Sequence, residues 1–282
     1  MKKRRYFAPT LGQSLILILL VFVGSIIAGI IPYIVGKDYP DYVELLLTPI
    51  SYTPALLYFY IKSRNNTESP DSGTYLKIND PNFGAINPAL LFIIALLSLL
   101  SLSILLDPLT ILIKAPEWYK DAMSQMMSRN IVISIITIGV YAAIFEEFLC
   151  RALILRGMLK YKSPVAAILM SSFIFGFMHF NLYQSIPAFV IGCLFGWLYY
   201  KTRSIWLVIS LHFTNNTLST ILEKVYPELP IDTTLWEMIP LNQYIPLYII
   251  SLIIISLSIY YINRNIKVND KEIIPNQVQS DT

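Results

Sequence analysis

Eight runs of predominantly apolar residues, roughly 11–35, 42–61, 86–106, 131–157, 163–180, 184–200, 204–222 and 243–262, decide what this chain can fold into. A helix that crosses a membrane needs about 20 such residues, and polar or proline-bearing breaks separate the runs. The expected fold is all-α: a polytopic membrane helical bundle of about eight transmembrane helices. Composition agrees, with 55% hydrophobic residues, 14% charged residues and a mean hydropathy of +0.59, outside the range of ordinary soluble domains. Twenty-one basic against 18 acidic residues is too even a balance to imply nucleic acid. The first run, though preceded by Met1-Lys-Lys-Arg-Arg5, is too long for a secretory signal and lacks a small-residue cleavage site, so it reads as a retained first span.

The expected organisation is sequential. Residues 1–114 hold the first three spans with a polar loop near 62–85; 115–225 form a core of four helices; 226–263 are a loop and the last span; 264–282 are a polar tail. Residues 115–130 read as a short helix lying at the interface. Gly192 and Gly196 read as a face for close helix packing, and Cys150 and Cys193 as buried small hydrophobes with no metal or redox spacing. With the N-terminus inside, fifteen Lys and Arg fall on inside segments and five on outside ones, Arg151 lying within a span. That asymmetry places both termini in the cytoplasm.

An ionisable side chain in hydrocarbon costs several kcal/mol and marks function more often than packing. In mid-span the acids are Glu146 and Glu147 and the base is Arg151; both histidines of the chain, His179 and His212, are also in spans. Glu147 and Arg151 are four apart with the acid first, the favourable order for an ion pair. Glu146, about 100° around the helix, is left without a counter-ion and free to act as a general base. His212 and Asn216 are also four apart, so the amide can orient the imidazole or donate to an oxyanion. Phe175 stands one turn before His179 as a packing partner. Counted at 1.5 Å per residue, His179 lies about 24 Å from Ser163 and His212 about 12 Å from Ser204, which puts the two rings at different depths.

Reading the spans removes three other cleavage chemistries: there is no mid-span Asp pair, no Gly-x-Ser-x-Gly and no His-Glu-x-x-His. What remains, in order, is Glu146-Glu147-Phe-Leu-Cys-Arg151, Phe175-Gly-Phe-Met-His179 and His212-Phe-Thr-Asn-Asn216. This ordered triple resembles the CPBP family, which takes in the type 2 CAAX prenyl proteases, their bacterial Abi relatives and bacteriocin-immunity proteins. The resemblance covers roughly residues 120–222. It implies a conical helical bundle in which Glu146 activates a water, His179, His212 and Asn216 bind or polarise the carbonyl, and Glu147 with Arg151 forms a structural pair. The implied activity is intramembrane endopeptidase, with membrane lipid and a peptide or lipidated protein as partners in the cell membrane. No cofactor is favoured, although His179, His212 and Glu146 are the set that zinc would use. A non-catalytic immunity or scaffold protein of the same fold is the alternative, and a proton-coupled transporter would need inverted repeats that are not seen.

Overall fold

The structure is a computed structural model that describes residues 4–36, 40–68 and 76–268. The middle of the polar loop and most of the tail therefore lie outside the described residues. Within them every apolar run is a helix: α1 (Leu11–Val35), α2 (Glu44–Asn65), α3 (Pro88–Ile111), the short α4 (Glu117–Ser128), α5 (Ile131–Met158), α6 (Pro164–Phe177), α7 (Leu182–Thr202), α8 (Ile205–Val225), a single turn α9 (Leu235–Met238) and α10 (Leu241–Asn265). A two-residue antiparallel bridge joins Arg4–Arg5 to Thr67–Glu68.

The starts are written in the sequence. Thr10 and Gln13 close a capping box on α1, and Asn87, Asn130, Ser163, Asn181 and Ser204 each accept a backbone N–H at the start of a helix. Each such cap satisfies donors that would otherwise face lipid. Pro88 and Pro164 occupy first-turn positions where no N–H is needed.

The chain is a multi-pass membrane protein, and length and composition alone do not carry the count to about eight spans. Among the described residues five helices, α1, α3, α5, α7 and α10, are long and apolar enough to cross a membrane by length and composition. α6 has only 14 residues. The lengths of α2 and α8 suffice, but α2 carries Glu44, Lys62 and Arg64 and α8 carries His212, Asn215 and Asn216. Counting apolar residues in a window does not register how far polar side chains on one face lower the mean.

α1 packs on α2, α6 on α7 and α3 on α10, while α8 runs along α5. α5 is central: every residue from Leu149 to Met158 is buried. It is not a uniform α-helix as the four-residue spacings assume. Two π-helical stretches, Ile135–Tyr141 and Phe148–Leu155, flank an α-helical segment, Ala142–Glu147, that carries both glutamates. Such wide turns are rare and concentrate at functional sites.

Candidate active site

The two glutamates face different surroundings. Glu147 is fully buried, and its Oε1 accepts from Arg151 Nη1 at 3.0 Å and from His212 Nδ1 at 2.8 Å. Arg151 is also fully buried; its Nη2 donates to the Gly192 carbonyl at 3.0 Å, and the guanidinium lies 4.5 Å from the Phe175 ring centre. The pair foreseen from spacing is thus one arm of a three-residue cluster. Reading along one helix could not find the other arm, because His212 arrives from α8.

Gly192 makes this cluster fit. A Cβ there would stand 3.1 Å from the Phe175 ring, 3.2 Å from Ser172 Cβ and 3.3 Å from Arg151 Nη2. Gly196, one turn on, meets Ile168 at 3.2 Å. The two glycines form the close packing face their spacing suggests.

Glu146 stays partly open, its side chain 19% exposed, with Oε2 3.9 Å from His212 Nε2. His212 therefore stands between the two carboxylates. Its Nδ1 proton goes to Glu147, which fixes the tautomer and leaves Nε2 toward Glu146. His179 is arranged alike: Nδ1 donates to the Phe175 carbonyl at 3.0 Å. Phe175 is the common post. Its ring stands edge-on to both imidazoles, 5.3 Å from His179 and 5.9 Å from His212. Counted from the helix starts the two rings lie at different depths, yet both stand against Phe175, with α6 ending at Phe177 and His179 in the turn beyond it. The next residue, Phe180, takes φ +57°, a costly conformation for a bulky side chain, and its ring rests 4.0 Å from Phe22 of α1.

The residues do not share a single cavity. One chamber of about 440 Å³ is lined by Glu146 and His179 with Glu44, Tyr52 and residues of α1. A second, also about 440 Å³, is lined by His179, His212 and Asn216 with Asp107, Tyr183 and Gln184. His179 belongs to both. A larger apolar groove of about 770 Å³ between α1 and α6 meets the first chamber at Ile18 and Phe22. Asp107 comes alone from α3 and the adjacent Tyr183 and Gln184 from α7, so no spacing in the sequence connects them to the histidines. Asn216 does not orient His212: its Nδ2 donates to the Ile138 carbonyl, in the first π-helical stretch, at 2.9 Å. Glu147 does the orienting, and the second N–H of Asn216 is left over.

His179, His212 and Glu146 do not make a zinc set as placed. Among the described residues no three His, Cys, Asp or Glu side chains come together to hold a metal ion. Both Nδ1 atoms are already committed, which leaves Nε2 as the open nitrogen of each ring.

Residues 128–218 match the family model described as Rce1-like, Type II CAAX prenyl endopeptidase Rce1-like. The matched segment contains Glu146, Glu147, Arg151, Phe175, His179, His212 and Asn216, and the match agrees with the resemblance of the three motifs to the CPBP family. No curated protein and no solved structure matches.

Proposed function

We propose that this protein is an intramembrane endopeptidase of the CAAX protease type in which Glu146 activates a water. The observation that carries the reading is the contrast between adjacent acids. Glu147 is closed off by Arg151 and His212, whereas Glu146 opens into a chamber 3.9 Å from an imidazole nitrogen. A general base has to reach water and a proton partner, and of the two only Glu146 does both. His212 Nε2 is placed to share the proton that Glu146 takes, and His179 stands where the two chambers meet. Asn216 supplies a donor from the second chamber through its free N–H.

The substrate reading is a peptide or lipidated protein drawn from the bilayer, the apolar groove giving access to the Glu146 chamber from lipid. Catalysis is proposed to be metal-free, with full activity retained after exhaustive chelation; activity restored only by added zinc would reverse that part. Both termini are assigned to the cytoplasm of the cell membrane, and a C-terminal reporter active only on the outer side would refute the assignment. The test of the activity is cleavage of a membrane-peptide library by purified protein, comparing wild type with Glu146→Ala. Full biological activity of a folded, inserted Glu146→Ala protein in cells would replace the enzyme by an immunity or scaffold protein of the same fold.

A further inference from the structure

Hydrolysis of an amide develops negative charge on the carbonyl oxygen, which needs hydrogen-bond donors within about 3 Å. On the Glu146 side the side-chain hydroxyls lining the chamber are those of Ser25, Ser51, Tyr52 and Thr48, the last one turn before Tyr52 on α2. Each histidine has given its Nδ1 proton to a fixed acceptor, so in the neutral ring Nε2 presents a lone pair. Asn216 faces the second chamber, with one N–H already on Ile138. Two serines lining the Glu146 chamber are turned back on their own helices, Ser25 to the Val21 carbonyl and Ser51 to the Leu47 carbonyl.

Tyr52 of α2 differs from these serines. It lines the Glu146 chamber with His179, is 8% exposed, and its hydroxyl has no hydrogen-bond partner among the described residues. A buried phenol usually finds such a partner. The ring is held in place independently of the hydroxyl, stacked on Phe145 with centroids 5.0 Å apart and planes 17° from parallel. Phe145 is the residue immediately before Glu146, so the stack fixes the phenol beside the proposed base.

We infer that Tyr52 is a further catalytic residue, whose O–H donates to the scissile carbonyl oxygen from the Glu146 chamber. The inference rests on the reading of Glu146 as base. A water gives one proton to Glu146 as its oxygen bonds to the carbonyl carbon, and the carbonyl π pair moves onto oxygen. Tyr52 donates a hydrogen bond to that oxyanion and keeps its proton. As the pair returns, the C–N bond breaks and the proton held by Glu146 passes to the leaving nitrogen. Neither step consumes an oxidant or a cofactor.

The experiment uses the full chain in detergent micelles and those quenched-fluorescence peptides of the library that wild type cleaves. Tyr52→Phe keeps the ring and its stack, so kcat is expected to fall by about 10²-fold with KM and melting temperature close to wild type. Tyr52→Leu removes the stack as well and is expected to lower the melting temperature in addition. Wild-type kcat in Tyr52→Phe, with Glu146→Gln inactive on the same peptides, overturns the role of Tyr52 and leaves the protease standing. A loss in Tyr52→Phe matched by a lowered melting temperature also overturns it, as a structural effect. If wild type cleaves no peptide, the endopeptidase reading falls and the role of Tyr52 falls with it.

Discussion

Glu147 of α5 is dry and bonded to both Arg151 and His212; Glu146, one residue earlier, opens to a chamber and has no partner at hydrogen-bond distance among the described residues. The same side chain, displaced by one step of the helix, becomes anchor or, in the proposed function, reagent according to what packs against it. Burial of Glu147 is tolerable because Arg151 and His212 both converge on it. Charge in low dielectric is stable only when paired and bonded, and the carboxylate without such pairing is the one left available for chemistry.

Exchanging each acid for its amide separates the two sides most sharply. Glu146→Gln keeps the volume and removes the proton acceptor, so turnover is expected to fall by about 10²- to 10⁴-fold, with the melting temperature unchanged in a thermal-shift assay. A lowered melting temperature there would break the contrast. Glu147→Gln leaves Arg151 charged and unpaired in the core, which costs about 3–5 kcal/mol and is expected to show as poor expression and early melting; a protein as stable as wild type would mean that the cluster is no anchor. Gly192→Ala pushes a methyl against Phe175, Ser172 and Arg151, an overpacking worth about 1–3 kcal/mol, whereas the same change at the open Gly29, with nothing within 4 Å, is expected to be close to neutral. The smallest effect is set for Asn130→Ala. It removes the acceptor for the Val132 N–H at the start of α5, expected to cost about 1 kcal/mol in unfolding free energy without moving kcat.

How much of this was legible beforehand depended on whether the determining contact was local. Every apolar run became a helix because hydrophobicity along the chain is a local property, and the capping residues Asn87, Asn130, Ser163 and Ser204 stand where the runs begin. The Glu147–Arg151 pair was also legible, since both residues share one helical face. The bond from His212 to Glu147 was not, because two adjacent acids on α5 look alike from α8 until the crossing is known. Nor was the division into two chambers, which follows from where Phe175 and His179 sit relative to α3 and α1. The π-helical stretches of α5 left no trace in composition. Asn216 was drawn to His212 by its four-residue spacing, yet the packing of α8 along α5 gave it the Ile138 carbonyl instead.

The shortness of α6 has a consequence for the lipid around it. Fourteen residues rise about 21 Å, against a hydrocarbon layer of about 30 Å. With Ser163 at one interface, the turn that carries His179 ends well inside the thickness of an undisturbed bilayer. A leaflet beside Phe173, Phe177 and Phe180, all exposed, would thin or dimple to meet it, at a cost of fractions of a kcal/mol for each ångström of mismatch. Such thinning would bring headgroups and their water closer to the histidine turn, where the proposed hydrolysis needs water. A thinner membrane would relieve the distortion, so lipid chain length becomes a variable that sets how readily the histidine turn is wetted.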